Sequence, residues 1–247
     1  MILQALTSYY DRLTDNPECH IPRFGFSREK MHFAFVIDRN GGLNQVLDLR
    51  QQSGRRLIPR EVIVPQGSKK SVNIVANFLW GSTSYVLGAD SKNNPDRAAQ
   101  CHKAFKELHH DLLQKYNDTA ATAVLKFLEG WSPGNATKLE FWDDMIKGNL
   151  TFMLDGDNHF ICEKEALKRV WIDKQSKEAG DILGQCLVTG ETLPIARLHP
   201  AIKGVWGARS GGASIVSFNK DAFCSYGKTQ SYNAPVSEEK TSNIPPP

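Results

Sequence analysis

Ile2, Leu3, Leu6, Tyr9, Tyr10 and Leu13 recur three and four positions apart, and Asp15-Asn16-Pro17 then ends the run. That spacing predicts an amphipathic helix at the start of the chain. MHFAFVI and LNQVLDL flank Asn40-Gly41-Gly42, residues that supply the positive φ angles a tight turn requires, so residues 31–49 read as a hairpin. Strand-like runs follow at Arg60–Val64 and Val72–Val75, punctuated by Pro59, Pro65 and Gly67. From Asp96 the pattern changes to a helical one. Cys101, Ala104, Phe105, Leu108, Leu112 and Leu113 set a first run, a second with Val124, Leu125 and Leu128 ends at Gly130, and a third lies around Lys138–Lys147. TFMLDGDNHFICE reads as a hairpin about Asp-Gly, with a helix from Lys164 to Lys177 after it. Residues 186–230 are Gly-rich with short β runs such as CLVTG and ASIVSF. The expected fold is α+β, with short, partly antiparallel sheets and a helical middle segment.

With 247 residues and 40% hydrophobic content, the chain is long enough to bury a sizeable core in one or two domains. A net charge of +3 is too small for binding to nucleic acid by overall charge, so any such contact must come from local clusters. The five cysteines are odd in number, widely spaced and without a C-x-x-C pair, which points to a reducing cytoplasm. The first residues lack the basic and apolar regions of a signal peptide, and no run approaches the ~20 apolar residues of a membrane span. No membrane partner is expected.

Catalytic patterns fail in turn. There is no G-x-S-x-G elbow, and GARSGG lacks both the glycine spacing and the Lys-Ser/Thr pair of a phosphate loop. Asp155-Gly-Asp157-Asn158 does not continue as a calcium loop, since Phe160 and Ala166 stand where Gly and Glu are needed. Cys186 and His199 have a finger-like separation without two further ligands nearby, and read as a buried thiol and a loop histidine. His102, His109 and His110 read as part of a solvated helix face, and the adjacent Asp143 and Asp144 diverge. The expectation is a non-enzyme without cofactor or metal.

What remains is a basic stretch. Arg50, Arg55, Arg56, Arg60, Lys69 and Lys70 stand against Glu61 alone between residues 50 and 70, a cluster suited to phosphate neutralisation. Lys69 and Lys70 lead to Asn73 and Asn77, amides able to read base edges beside cations able to hold backbone. A second candidate surface is Arg209-Ser210-Gly211-Gly212-Ala213-Ser214, where paired glycines permit close backbone approach. The DNA-contact candidates are therefore Arg55, Arg56, Lys69, Lys70, Asn73, Arg209, Ser210, Gly211, Gly212 and Ser214.

MILQALTSYYDRL at the start, FLWGSTSYVLG at 78–88, CLVTGETLPIARLHPAIKGV at 186–205 and GARSGGASIVSFNKDAFCSYGKTQSYNAPVSE at 207–238 resemble the N-terminal portion of the Csd-type large subunit of type I-C CRISPR Cascade. The resemblance implies a PAM-recognition region over residues 1–239, followed by a disordered tail at 240–247. It implies an RNA-guided complex in which base pairing reads the target, while this subunit reads the short flanking PAM in double-stranded DNA and helps open it. The implied partners are PAM duplex, CRISPR RNA through the complex, other Cascade subunits and a recruited helicase-nuclease. The large subunit of that family continues past NAPVSEE into a helical region, whereas here KTSNIPPP follows. The alternative expectation is a truncated decoy that assembles with the complex and inhibits interference.

Overall fold

The structure is a computed structural model, and it describes residues 2–16, 18–19, 21–67, 74–90, 94–178, 182–199, 201–202, 206–207 and 212–242. The fold is α+β. It divides into two compact units, residues 25–174 and a second unit of residues 1–24 with 175–247.

The larger unit is organised by a four-stranded sheet. Its strands are β2 (Phe33–Ile37), β3 (Leu43–Asp48), β7 (Trp80–Ser82) and β8 (Asn149–Leu154), in the order β3-β2-β8-β7. The expected hairpin forms, since β2 and β3 pair antiparallel across the Asn40-Gly41 turn, with a register shift at Val36/Ile37. Gly41 sits at φ +82, and a Cβ there would lie 2.5 Å from the backbone nitrogen of Phe127, so both conformation and packing require glycine. β8 pairs parallel with β2 and antiparallel with β7. All of β2 is buried, as are most positions of β8, which is why these two apolar runs occupy the sheet centre. The Asp155-Gly156 turn is present, but the returning strand reduces to one bridge, Met153 to Phe160, before a 3-10 turn at Ile161–Glu163.

Between β7 and β8 run α2 (Thr83–Val86), α3 (Pro95–Leu113) and α4 (Thr119–Gly130). Asn94 caps α3 by accepting from the Arg97 amide at 3.1 Å, and Asp118 caps α4 by accepting from Ala120 and Ala121 at 2.8 and 2.9 Å. Phe35, Phe127 and Phe152 meet edge-on with centroids 5.6–6.3 Å apart, joining α4 to the sheet. Such pairs add about 0.5–1.5 kcal/mol beyond the area they bury. Truncating buried Phe35 to alanine would cost about 3–5 kcal/mol through the cavity left behind.

The helix expected around Lys138–Lys147 is broken. A 3-10 turn covers Pro133–Lys138, Phe141 adopts φ +62, and only α5 (Trp142–Met145) is helical. Tertiary contacts override the local period, because Phe141 stacks on Phe33 at 5.8 Å and Asp144 is held by Arg50 at 2.8 Å. Of the expected strand at 72–75, residues 72 and 73 lie outside the described residues, while Ile74 and Val75 lie in no strand.

Two smaller ribbons complete this unit. β1 (Phe26–Met31) pairs with β6 (Arg60–Pro65), and β4 (Gln51–Ser53) pairs with β5 (Arg56–Ile58), both antiparallel. Helix α6 (Glu165–Glu178) runs across the boundary between the units.

The second unit contains α1 (Ile2–Asp15), the hairpin of β9 (Leu183–Gln185) with β10 (Thr192–Pro194), and the short α7 (Glu238–Ser242). Its small core gathers Cys186, Ile195 and Val236, with Leu3, Val188, Leu193 and Tyr232 packed against them. Buried Tyr10 of α1 donates to the Pro22 carbonyl at 2.6 Å, and burial pushes its hydroxyl pKa up to about 12. Residues 243–247 of the expected tail lie outside the described residues.

Candidate nucleic-acid interface

The basic stretch separates into residues with different occupations. Arg50 is committed to the fold. Its Nε donates to Asp48 at 2.9 Å, its terminal nitrogen reaches Asp48 at 2.7 Å and Asp144 at 2.8 Å, and its guanidinium lies 4.7 Å over the Phe33 ring. Hydrogen bonding from Arg50 holds the Asp48 carboxyl below its ordinary pKa. Arg60 covers the Phe160 ring at 5.4 Å, and Glu61 sits 3.6 Å from Arg28.

Arg55 and Arg56 are different. They occupy the turn and first return position of the β4–β5 ribbon, which is exposed at every residue from Gln51 to Ile58. Gly54 takes φ +60 to make that turn, with no atom within 4 Å of where a Cβ would be. Among the described residues, neither arginine makes an ion pair or side-chain hydrogen bond.

Lys69, Lys70 and Asn73 lie outside the described residues, and the chain on either side of them is held by buried contacts. At the first end, Trp80 Nε1 donates to the Pro65 carbonyl at 2.8 Å and Gln66 donates its amide to Gly25 at 2.8 Å. Gly67 lies against the Trp80 ring, where a Cβ would come within 2.9 Å of Cζ2 and 3.2 Å of Asn77 Oδ1. That Asn77 oxygen is buried without a hydrogen-bond partner. At the second end, Leu79 takes φ +64, a left-handed conformation that costs a leucine strain. Two buried side chains hold it. His109 Nε2 accepts the Leu79 amide at 2.9 Å, and the Thr151 hydroxyl donates to the Leu79 carbonyl at 3.2 Å. His109 Nδ1 lies 2.7 Å from the Phe105 carbonyl, so the proton is on Nδ1 and the ring is neutral. Phe78 is stacked between His109 at 5.4 Å and Trp171 at 5.6 Å.

These contacts correct the expectation of a solvated histidine face. His102 and His109 are buried on the apolar side of α3 with Ala98, Cys101, Phe105 and Leu113; His110 is exposed. Burial lowers the pKa of both, that of His109 to about 4. The signal was in the spacing, since positions 98, 102, 105, 109 and 113 fall on one helical face.

In the second unit, Gly212 and Ser214 flank Ala213, which exchanges two 2.8 Å backbone hydrogen bonds with Ile202. Gly212 takes φ +103, a backbone conformation that favours glycine, and Ser214 is exposed. Arg209, Ser210 and Gly211 lie outside the described residues. Cys186 is buried as expected. Burial alone would raise its thiol pKa, but amides of Ser237, Thr189 and Val188 and the Thr189 hydroxyl bring it down to about 7. Half-buried His199 has both ring nitrogens without partners. Among the described residues, no three His, Cys, Asp or Glu side chains converge as a metal site.

An open cavity of about 710 Å³ is lined by Ile63, Asp157, His159, Glu163, Lys164 and Lys168 among others. Its lysines are already paired, Lys164 with Asp157 at 2.6 Å and Lys168 with Glu165 at 2.8 Å. It offers a polyanion little uncompensated charge.

The described residues thus combine an α+β scaffold with an exposed β4–β5 ribbon that carries Arg55 and Arg56 and no acidic residue. The chain belongs to the family described as CRISPR-associated protein (Cas_Csd1), whose family model matches residues 6–244. A search of the curated proteins finds no match. Among the described residues, no helix is long and apolar enough to cross a membrane.

Proposed function

We propose that the chain is a non-catalytic, DNA-contacting subunit of an RNA-guided type I-C CRISPR complex, recognising the PAM in duplex DNA and helping to open it. The observation that carries this reading is the pair Arg55 and Arg56, exposed on a ribbon without an acidic residue, in a chain of a CRISPR-associated family. Cations so placed release counterions from phosphate and give sequence-independent affinity. Specificity is assigned to Asn73 and to Gly212 and Ser214, with Lys69, Lys70, Arg209, Ser210 and Gly211 beside them. The partners in this reading are PAM-containing duplex, CRISPR RNA, the other Cascade subunits and a recruited helicase-nuclease.

The test is reconstitution with guide RNA and backbone subunits, followed by competition between PAM-containing and PAM-scrambled duplexes at fixed salt. Asn73→Ala is expected to lower PAM-dependent binding about 5- to 150-fold, the equivalent of losing one base-reading amide, and to leave scrambled duplex nearly unchanged. An unaltered preference ratio in a well-folded variant removes Asn73 from the reading.

A further inference from the structure

The β4–β5 ribbon is short, solvated on both faces and paired with no other strand among the described residues. A lone two-stranded hairpin is marginally stable in water, so this one gains from a surface to rest on. Its register decides what each face presents. Gln51 pairs with Ile58, Gln52 with Leu57 and Ser53 with Arg56. Directly opposed residues share a face and successive residues alternate, so Gln51, Ser53, Arg56 and Ile58 stand together while Gln52 and Leu57 stand on the other side. Gln52 Nε2 turns back to the Gly54 carbonyl at 3.4 Å.

We propose that the face of Gln51, Ser53, Arg56 and Ile58 enters the major groove of duplex DNA and reads base edges there. This rests on the DNA-binding reading above and adds the groove, the element and the side chains. Three arguments converge. Residues 51–58 carry Arg55 and Arg56 and no acid, which complements a polyanion. Strands about 4.8 Å apart make a ribbon narrow enough for a major groove about 12 Å wide, which admits a two-stranded ribbon, while the narrow major groove of an RNA duplex does not. The face also carries the chemistry of direct readout: Gln for adenine, Arg for the two acceptors of guanine, Ser for either, and an aliphatic side chain for the thymine methyl group. Arg55, at the turn, serves phosphate.

The experiment uses the full chain and a randomised duplex pool from which the preferred sequence is selected. Three duplexes follow: the preferred one, the same with glucosylated 5-hydroxymethylcytosine filling the major groove, and the same with netropsin in the minor groove. Glucosylation is expected to weaken binding at least about 10-fold and netropsin to leave it within about 2-fold. Arg56→Lys, which keeps the charge but cannot make the two-pronged guanine contact, is expected to bind the preferred duplex at least about 5-fold more weakly, with Arg55→Lys near wild type. Melting checks that both variants fold. Tolerance of glucosylation, displacement by netropsin, or selection of the wild-type sequence by Arg56→Lys and Gln51→Ala would each overturn the proposal while leaving DNA binding intact. Absence of binding to any duplex overturns both this proposal and the reading it rests on.

Discussion

His109 Nε2 accepts the backbone amide of Leu79 at 2.9 Å, and Leu79 keeps a left-handed backbone conformation at that contact. A neutral imidazole in the core thus fixes where the segment after residue 67 re-enters the sheet.

Acid should therefore loosen this unit above the carboxylate range. The folded His109 pKa, about 4, is below the ordinary 6.5, so the unfolded chain binds the proton first as pH falls. Its stabilisation is full above about pH 6.5, declines as pH falls toward 4, and is gone below that, a span of about 3 kcal/mol. His32 and His102 in the same unit are lowered as well and act in the same direction. The melting temperature is expected to fall between pH 7.5 and 5, with a shallower fall in His109→Gln. Equal slopes in the two proteins would detach the effect from this residue.

Arg50 and the pair Arg55/Arg56 should behave oppositely. Removing Arg50 unpairs Asp48 and Asp144 and uncovers Phe33, so Arg50→Ala is expected to lower Tm by about 3–6 °C. The log-affinity against log-salt slope for duplex should stay unchanged. Arg55→Ala/Arg56→Ala is expected to leave Tm within about 2 °C and to flatten that slope by about one unit, for the phosphate that Arg55 no longer neutralises.

Asn77 offers a test of its buried oxygen. An unpartnered polar atom in the core costs about 1–3 kcal/mol, so Asn77→Leu is expected to melt at or above the wild-type temperature. A clear drop would mean that the amide has a stabilising role beyond these contacts.

The thiols should separate by exposure. Cys224 is exposed and Cys101, Cys162 and Cys186 are buried. Titration with an aromatic disulfide at pH 7.5 is expected to modify Cys224 quickly. Cys186, although its pKa is about 7, should react only on unfolding, because access and not ionisation limits it. Rapid labelling of Cys186 in the folded chain would reverse that order.

The α+β class, the hairpin at residues 31–49 and the helices near 2–13, 96–113 and 119–130 were legible because hydrophobic period and turn residues agree there. Elsewhere they conflict. The run from Lys138 to Lys147 has a helical period, but stacking of Phe141 on Phe33 and capture of Asp144 by Arg50 decide its backbone. Arg50 looked equivalent to Arg55 because charge along a chain does not tell which cations a distant acid will neutralise. The parallel pairing of β8 with β2 was hidden for the same reason, since a β run does not name its neighbour.

That pairing also sets an order of events during synthesis. Phe33–Ile37 is made early, yet its parallel neighbour lies more than a hundred residues further on, with contacts such as Asn149 to His32 spanning 117 positions. Until Leu154 has left the ribosome, β2 has an unfilled apolar edge, and the Thr151 hydroxyl that supports Leu79 does not yet exist. Closing so long a loop is slow. The nascent chain must therefore carry a half-built sheet while more than a hundred residues are added, and the support of Leu79 is complete only when β8 arrives.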